Sequence, residues 1–534
     1  MLFKYLFRSK RKNYLFLFIC TILGILVLSV LDIMQGVVFM LFMNRATGVN
    51  DIPLWILVLG AFGFVIGYYL VSLIASYLIT NLLKKIRGEL VNDIFTSFSN
   101  YPVSTFLKNE TASSISSTIT TEVENLIDSY YSYILNIFSI TFSFVLGLIY
   151  LGLLNVFIII PILIFIVLIL LISFLSTNKI NKNYEKVFYA NRYVIKLINN
   201  VFSFFTVSKM FDFKENINKR IESEYDKFNS AKKKARLFDV ILEKINGVLS
   251  LLMFFSIYTI CVYLAIKDQM NAGEITSIIQ VCGSVVNPFF SISYVIKAIA
   301  NTKSTRDKID NILKVPATST NLTKLDLKEI KGTNITYAYK DNDYIFKNLS
   351  FDFKKGDIVA IIGESGSGKT TLLSILSKFI TDYSGSILLN DSINLNDVND
   401  ESYYLDVKLL NQEPTLLDDT IKNNVILDKP FEEEKFNKIF KLLNLDNTFK
   451  DINIKIDTES KNYSLGEARR ICLARLLYDK PTFILLDEPF ASLDEENRLI
   501  IENALTNIND SCIIITSHIF SEEFKKHITK EIKL

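Results

Sequence analysis

The sequence predicts two structural parts: a membrane domain of six transmembrane helices with long cytoplasmic extensions, followed by an α/β domain. Half of the 534 residues are hydrophobic and only 21% are charged, which is more apolar than soluble proteins usually are. The long apolar runs end at about residue 300. After about residue 315, short strand-like and helical stretches alternate, as they do in α/β domains. We therefore predict a membrane domain at 1–315 and a second domain at 316–534.

Composition excludes several classes of protein. Lys and Arg number 58 against 56 Asp and Glu, a net charge of +2, so nothing indicates a nucleic-acid-binding protein. The chain is too apolar to be disordered. Its five cysteines are scattered without C-x-x-C spacing, so neither a disulfide framework nor a zinc site is predicted; they are Cys20, Cys261, Cys282, Cys472 and Cys512.

Six apolar runs reach the roughly 20 residues that a helix needs to cross a bilayer. They cover about 14–43, 54–80, 130–153, 155–176, 240–266 and 275–300. Basic residues at 4–12 precede the first run, as in a signal peptide, but the run is too long and no A-x-A-like cleavage site follows it. We therefore predict a retained span, and no peptidase domain ahead of it.

The loops between these runs alternate in charge. Clusters of Lys and Arg lie at 84–87, 179–186, 232–236 and 303–308, whereas the loops at 44–53 and 153–156 are poor in basic residues. The positive-inside rule then places both termini and the second domain in the cytoplasm. The cytoplasmic stretches 81–129 and 177–239 carry helical apolar spacing. We expect the spans to continue through them as helices.

A phosphate-binding loop is predicted at 363–371. The sequence there matches G-x-x-x-x-G-K-[ST], after an apolar strand at Ile358–Ile362 and before a helical stretch. Backbone N–H groups of such a loop converge on phosphate oxygens, Lys369 would neutralise the β- and γ-phosphates, and Thr370 would ligate Mg²⁺. The candidate residues are Gly363, Glu364, Ser365, Gly366, Ser367, Gly368, Lys369, Thr370 and Thr371.

Two acids and a histidine complete the predicted reaction site. Asp487 and Glu488 end the apolar strand Phe483–Leu486; Asp487 would hold Mg²⁺ and Glu488 would act as general base on the attacking water. His518 follows the strand Ile513–Thr516 and could reach the γ-phosphate, although a lone histidine is usually structural. His527, the other histidine, lies in a Lys-flanked tail and is expected to be solvated.

Together these residues resemble an ATP-binding cassette (ABC) transporter over nearly the whole chain, which implies ATP and Mg²⁺ as cofactors and an ABC-type P-loop NTPase domain. Gln412 is similar to the Q-loop glutamine, which senses Mg²⁺ and the attacking water, and the resemblance implies that Gln412 is a third Mg²⁺ ligand beside Thr370 and Asp487. Tyr339 resembles the aromatic residue that stacks on adenine, with Tyr337 as its rival. Asp494, in Ala-Ser-Leu-Asp, resembles the D-loop aspartate that crosses the dimer interface.

The stretch Tyr463–Glu467 resembles the family signature Leu-Ser-Gly-Gly-Gln/Glu. Ser464, Gly466 and Glu467 match it, and the resemblance implies that Ser464 and Gly466 touch the nucleotide of a partner chain. Tyr463 and Leu465 depart from it, and Leu465 stands where the family has a glycine, which has no Cβ to crowd a neighbour or restrict φ.

The membrane half resembles the exporter type with one nucleotide domain per chain, a half-transporter. Arg87, residues 102–106 and residues 109–111 resemble the first coupling loop, and residues 204–211 the second. The resemblance implies an ATPase that exports a hydrophobic or amphipathic substrate (a peptide or bacteriocin, a drug or a lipid) by alternating access. An importer on the same fold, and a regulatory ATPase or channel without uphill transport, are the alternatives. A dimer is required, with itself or with a second half-transporter.

Polar residues within the spans are candidate substrate contacts. Asp32 and Gln35 lie in the first span, and Gln280 and Asn287 lie in the sixth. A charge inside a bilayer is costly and usually lines a cavity or water path. Asp32 lies about 30 Å along a helix from Lys12, however, and the alternative is that it reaches the outer headgroups. The amides more often join helices to each other.

Overall fold

The computed structural model describes residues 12–109, 112–211, 214–290, 295, 298–299, 302–314, 324–340, 343–458, 462–491 and 493–534. The chain forms two compact units. The first comprises Met1–Phe98 and Ile115–Lys314, and the second comprises Ser99–Ser114 and Val315–Leu534. The second unit therefore includes a short stretch from the first third of the chain, which the division at 315/316 does not anticipate.

Helices account for nearly all of the described part of the first unit. Two π-helical turns, Thr118–Glu122 and Ile127–Tyr131, interrupt the run from residue 112 to 154, and a 3₁₀ turn at Val156–Ile158 precedes α7. The helices up to residue 314, with α3 belonging to the second unit, are α1 Lys12–Ala46, α2 Leu54–Ser99, α3 Val103–Asn109, α4 Ala112–Ser117, α5 Val123–Leu126, α6 Ser132–Leu154, α7 Ile159–Ser203, α8 Phe205–Met210, α9 Lys214–Ile266, α10 Ala272–Phe290 and α11 Lys303–Leu313.

Five helical runs among the described residues are long and apolar enough to cross a membrane: Tyr14–Ala46, Leu54–Ser99, Ser114–Leu154, Val156–Ser203 and Ile217–Ile266. A shorter apolar helix covers Ala272–Val286. It corresponds to the start of the sixth predicted span, whose remainder lies largely outside the described residues. Residues 1–11, with most of the basic cluster before the first span, also lie outside them.

The predicted continuation of the spans as helices is confirmed. Helices α2, α7 and α9 contain 46, 45 and 53 residues. At 1.5 Å per residue each is about 70–80 Å long, more than twice the hydrocarbon thickness of a bilayer. The sharp turn between α6 and α7 is made by Asn155, whose extended backbone ends α6 and whose side-chain oxygen accepts the N–H of Phe157 at 2.9 Å.

Small residues let α1, α6 and α10 pack closely. A Cβ on Gly36 would lie 2.6 Å from Cγ2 of Val281, and a Cβ on Gly147 would lie 2.1 Å from Cγ2 of Val285. Ser143 donates a hydrogen bond to Ser29 at 3.3 Å across the α6–α1 contact. Lipid tails are as apolar as the side chains, so there is no hydrophobic driving force between helices in a membrane. Close backbone packing and interhelical hydrogen bonds stabilise their association instead.

The second unit contains two sheets. The antiparallel sheet has the order β2–β1–β4–β5, and the other sheet has the order β6–β7–β8–β3–β9 with parallel pairing throughout. The strands are β1 Glu329–Lys340, β2 Asp343–Lys354, β3 Ile358–Ile362, β4 Ser384–Leu389, β5 Ile393–Asn394, β6 Val407–Leu410, β7 Phe483–Asp487, β8 Cys512–Thr516 and β9 Lys530–Lys533. Strands β7 and β8 are buried at every residue, as central parallel strands are.

Helices cover the parallel sheet: α12 Lys369–Leu376, α13 Asp400–Asp406, α14 Ile421–Ile426, α15 Glu433–Leu442, α16 Leu465–Asp479, α17 Glu495–Thr506 and α18 Glu522–Lys525. One hydrophobic cluster joins α14–α16 to the sheet face that carries Leu486 and Ile515. Another joins α12 and the antiparallel sheet to the face that carries Val359 and Leu485. The sheet is thus enclosed on both faces, and its carboxyl edge is where loops can gather a ligand site.

Candidate nucleotide site

The phosphate loop connects β3 to α12. Gly366 and Gly368 have φ of +85° and +100°, a region that glycine adopts without the steric penalty of a side chain. A Cβ on Gly368 would lie 2.3 Å from Cγ2 of Ile345, so this glycine also makes room for the adjacent strand. The loop can therefore turn sharply and direct backbone N–H groups toward a bound anion at the start of α12.

The side chains of the loop fit a triphosphate. The ammonium of Lys369 donates hydrogen bonds to the carbonyls of Gly363 and Glu364, both at 2.8 Å, which holds it at the loop. The hydroxyl of Ser367 is buried and has no hydrogen-bond partner among the described residues. A buried polar group without a partner is rare in proteins, and a phosphate oxygen would satisfy this one.

Two of the three residues predicted to hold Mg²⁺, Thr370 and Asp487, come together at the carboxyl ends of β3, β7 and β8. Thr370 donates a hydrogen bond to Oδ1 of Asp487 at 3.2 Å, and Thr516 donates to the same oxygen at 2.8 Å. No group of three His, Cys, Asp or Glu residues forms a metal cage in the described part of the chain. Mg²⁺ at phosphates needs only one or two protein oxygen ligands besides the phosphates and water, so a hydroxyl and a carboxylate fit it.

Glu488 lies beside the two other predicted catalytic residues. Its Oε2 accepts a hydrogen bond from Nε2 of Gln412 at 3.0 Å, and its Oε1 is 3.6 Å from Nε2 of His518. Its backbone has φ of +45°, an unfavourable region for a residue with a Cβ. The Glu488 N–H donates to the hydroxyl and the carbonyl of Thr516 at 2.9 and 3.1 Å, and these bonds stabilise the unusual conformation.

An arginine that the sequence reasoning did not single out supports Gln412. Arg469, only 4% exposed, donates from Nη2 to the carbonyl of Gln412 at 3.1 Å. Burial lowers the pKa of its guanidinium, and the nearby Glu488 carboxylate opposes that effect. An arginine stays protonated in proteins, so Arg469 places a fixed positive charge behind the loop that carries Gln412.

The two candidate tyrosines, Tyr339 and Tyr337, differ in exposure. The Tyr339 ring is 60% exposed and its hydroxyl shares a hydrogen bond with the hydroxyl of Thr371 at 3.1 Å, so it lies beside the phosphate loop. Tyr337 is 8% exposed in the core, where burial raises its pKa. Only Tyr339 offers a ring to a base.

The signature stretch forms the start of α16. The Ser464 hydroxyl accepts the N–H of Glu467 at 3.2 Å, and the Glu467 carboxylate accepts the N–H of Ser464 at 2.7 Å, a capping box. Leu465 is the first helical residue and is 46% exposed. A Cβ on Gly466 would meet Cδ2 of Leu493 at 3.4 Å. In the described part of the chain, no hydrogen bond links these residues to the phosphate loop.

Other predicted site residues have structural partners or lie elsewhere. Asp494 is the N-cap of α17 and accepts the N–H of Asn497 at 2.8 Å. Glu364 and Ser365 are exposed at the top of the phosphate loop. Ser492 of the D-loop stretch is outside the described residues, as are residues 110–111 of the first coupling-loop match and the side chains of Asn109 and Asn287.

Two residues of the site were missed by sequence reasoning. Thr516 binds Asp487 and Glu488 at once, and its only signal is a polar residue at the end of an otherwise apolar strand. Arg469 is one of two adjacent arginines in the signature helix. Helical periodicity alone does not show that it faces the loop of Gln412.

The fold and the site define a P-loop nucleotide-binding unit fused to membrane-crossing helices. The chain matches the family described as "ABC transporter transmembrane region" over residues 14–289 and the "ABC transporter" family over residues 346–491. The chain therefore belongs to the ABC transporter family, and it is a multi-pass membrane protein whose nucleotide-binding unit binds ATP.

Several known proteins are similar to this chain. The "ATP-dependent lipid A-core flippase" of Francisella tularensis subsp. holarctica (strain OSU18) is 28% identical over 285 residues, which cover 51% of this chain and 46% of the flippase. The "Microcin-J25 export ATP-binding/permease protein McjD" of Escherichia coli is 30% identical over 329 residues, covering 59% and 56% of the two chains. The matched part of this chain thus spans about half the length of these relatives.

A solved structure supports the fold over nearly the whole chain. The "Structure of a bacterial Atm1-family ABC exporter with ATP bound" matches with a TM-score of 0.81 at 16% sequence identity and covers 94% of this chain and 90% of that one. At this identity the match shows the fold alone. The predicted fold class, a helical membrane domain joined to an ABC-type α/β domain, is confirmed.

Proposed function

We propose that this chain is one half of a dimeric transporter that hydrolyses ATP to export a hydrophobic or amphipathic substrate across the cytoplasmic membrane. One observation carries the proposal. The phosphate loop, Asp487, Glu488 and Gln412 gather at the carboxyl edge of one parallel sheet, in a chain whose other unit consists of helices able to cross a membrane. Two of the relatives that this chain resembles are named as a flippase and an export protein.

Each residue of the site has a role in the proposed hydrolysis. Lys369 and the loop N–H groups bind the β- and γ-phosphates. Thr370, Gln412 and Asp487 would hold Mg²⁺, which would neutralise phosphate charge. Glu488 accepts a proton from the water that attacks the γ-phosphorus; the bond from that phosphorus to the β–γ bridging oxygen breaks, and ADP is the leaving group. Its exposed fraction of 27% leaves it accessible to that water. His518 lies close enough to Glu488 to contact the same γ-phosphate.

The proposed dimer follows from the separation of the two halves of the site. Within the described part of one chain, the first turn of α16 with Ser464 and Gly466 forms no hydrogen bond with the phosphate loop. A second chain that presents its own α16 would complete each site. We propose pairing of this chain with itself, with both termini in the cytoplasm, as the charge pattern of the loops indicates.

The test is ATP hydrolysis by the purified full-length chain in lipid nanodiscs, compared with Glu488→Gln. The substitution keeps the size of the side chain and removes its ability to accept a proton, so turnover is expected to fall at least a hundredfold, a typical loss for a general base. Glu433→Gln, the same change at an exposed position on α15, serves as the control and is expected to behave as wild type. Equal turnover in all three proteins would refute the role of Glu488.

Partner and direction are tested separately. Hydrolysis by this chain alone supports the homodimer, and ATP binding without turnover indicates a second half-transporter instead. Export predicts ATP-driven uptake of substrate by inside-out vesicles only. Uptake by right-side-out vesicles loaded with ATP would identify an importer.

A further inference from the structure

A cavity of about 590 Å³ lies between α1 and α2. Its walls are mainly aromatic and aliphatic, and they include Phe39, Phe64 and Tyr69. Gln35 and Tyr68 add polar groups. A cavity of this size, with apolar walls and a small number of polar groups, is typical of a small-molecule site.

An acidic side chain adjoins this cavity. The hydroxyl of Tyr68, a lining residue, donates a hydrogen bond to Oδ1 of Asp32 at 2.9 Å. Asp32 and Gln35 are three residues apart on α1, so they lie on the same face of the helix, about 5–6 Å apart. Gln280 of α10 donates to Oε1 of Gln35 at 3.4 Å, which connects a third helix to this place. The carboxylate is thus one helical turn from the cavity wall.

The helix lengths place the pair inside the hydrocarbon layer. Fourteen residues separate Asp32 from Ala46, the last residue of α1, and fourteen separate Tyr68 from Leu54, the first residue of α2. Both positions are therefore about 21 Å from the loop that joins the two helices. The hydrocarbon layer is about 30 Å thick. This depth argues against the alternative that Asp32 reaches the outer headgroups.

Among the described residues, the apolar parts of the helices contain no cation that could neutralise Asp32 at this depth. Residues 14–44, 54–83, 132–178, 245–266 and 275–290, which form the apolar parts of the described helices, contain no Lys, Arg or Glu and no Asp other than Asp32. Its only hydrogen-bond partner in the described part of the chain is Tyr68. A carboxylate in the membrane is costly unless a positive charge or water accompanies it.

We propose that this cavity is a binding subsite for an amphipathic organic cation, whose positive charge lies at Asp32 and whose apolar body packs against the aromatic walls. The volume is suited to an organic molecule, and the rings of Phe64, Tyr68 and Tyr69 are well placed for cation–π contact. The further statement that this cation is the transported substrate rests on the proposed export function. The binding of the cation at Asp32 is independent of that function.

The test uses two ions of nearly the same shape and opposite charge, tetraphenylphosphonium and tetraphenylborate. Their binding to the full-length chain in nanodiscs of neutral lipid is measured by equilibrium dialysis in the absence of nucleotide. Asp32→Asn is expected to weaken binding of the phosphonium at least tenfold and to leave binding of the borate unchanged or stronger. The matched control is Asp51→Asn, the same change at an exposed loop residue that pairs with Arg45 at 3.5 Å. It is expected to leave both ions unaffected.

Tyr68→Phe separates a binding role from a structural one. If the carboxylate serves the cation, this variant keeps the charge and retains phosphonium binding within about threefold. If the Asp32–Tyr68 bond only joins α1 to α2, both variants lower the thermal unfolding midpoint alike and change the affinity for the two ions in parallel, which would overturn the proposal. Unchanged phosphonium affinity in Asp32→Asn would also overturn the proposal. This includes the result in which Asp32→Asn alters only the pH dependence of transport or hydrolysis, because Asp32 would then bind a proton and not the organic cation.

The outcomes also separate this inference from the proposed function. Charge-selective binding that depends on Asp32, together with no hydrolysis that depends on Glu488, would retain the cation site and reject hydrolysis by this chain paired with itself. Hydrolysis that depends on Glu488, without charge-selective binding, would support the proposed ATPase and reject the cation site.

Discussion

Thr516→Val is the substitution that best tests how the catalytic edge is held together. The Thr516 side chain is fully buried. Its hydroxyl donates to Oδ1 of Asp487 at 2.8 Å and accepts the N–H of Glu488 at 2.9 Å. Valine has nearly the same shape and lacks both functions, so the variant removes two hydrogen bonds without creating a large cavity.

The expected loss of stability follows from the hydrogen bonds that Asp487 and Glu488 keep in the variant. The Asp487 carboxylate loses one buried donor but retains Thr370 at 3.2 Å, and the Glu488 N–H retains the carbonyl of residue 516 at 3.1 Å. A hydrogen bond to a charged group contributes about 1.5–3 kcal/mol, so we expect a loss of about 2 kcal/mol. For a unit of about 200 residues this lowers the unfolding midpoint by roughly 4–8 °C.

Turnover is expected to fall more than stability alone would suggest. Glu488 has φ of +45°, a conformation that costs about 1–2 kcal/mol. With one of its two restraints removed, the residue can relax away from Gln412. A change of about 1.4 kcal/mol in the barrier is tenfold in rate, so kcat for ATP hydrolysis should drop about tenfold while ATP binding changes little.

The assay is ATPase turnover and thermal unfolding of the full-length chain in nanodiscs, with Thr516→Ser as the control. Serine keeps the hydroxyl, so Thr516→Ser should retain most of the wild-type turnover and most of the thermal stability. If Thr516→Val and Thr516→Ser both hydrolyse ATP at the wild-type rate, Thr516 does not position the catalytic carboxylates and the reasoning fails.

Three further substitutions probe neighbouring contacts. Arg469→Gln removes the guanidinium that binds the Gln412 carbonyl; steady-state kinetics should show a several-fold lower kcat with KM for ATP nearly constant, and an equal rise in KM would contradict this. Leu465→Gly restores the family residue at an exposed position of the signature and should raise the turnover of the chain alone several-fold; no increase would mean that Leu465 does not limit a homodimer. Tyr403→Phe removes a buried hydroxyl that donates at 2.6 Å to the last carbonyl of α12. Thermal unfolding should show a loss of stability of about 1–3 kcal/mol, larger than the loss caused by Tyr404→Phe at a part-buried hydroxyl. A larger loss for Tyr404→Phe would refute this prediction.

The nucleotide site was largely predictable because each part has a local signal. The phosphate loop lies between a short apolar strand and a helix, and Asp487 and Glu488 end a strand that is buried on both faces. The pairing of Asp487 with Thr516 across β7 and β8 was not predictable. It depends on the order of strands that are distant in sequence, and no local pattern encodes that order.

The exposure of Tyr339 and the placement of residues 99–114 also could not be predicted from local sequence patterns. Tyr337 and Tyr339 are two residues apart, so alternation along a strand places them on one face, yet only Tyr337 is buried. Their rings pack edge to face with centroids 5.1 Å apart, so they do share a face, and an alternating pattern does not reveal which of the two rings is exposed. Residues 99–114 belong to the second unit, where Lys108 pairs with Asp382 at 3.0 Å. These two residues are 274 positions apart, and composition gives no sign of the contact.

The placement of residues 99–114 gives a route from the nucleotide site to the proposed cation site. Those residues belong to the nucleotide-binding unit and are covalently continuous with α2, a single helix from Leu54 to Ser99. A continuous helix transmits displacement and rotation along its length, so movement at Ser99 should reach Tyr68 and change the distance to Asp32. We therefore expect ATP to change the affinity of the Glu488→Gln chain for tetraphenylphosphonium, because that variant binds nucleotide without consuming it. By linkage, the cation must change the affinity for ATP by the same factor, which gives a second measurement of the same coupling. No change in either affinity would show that α2 does not couple the sites.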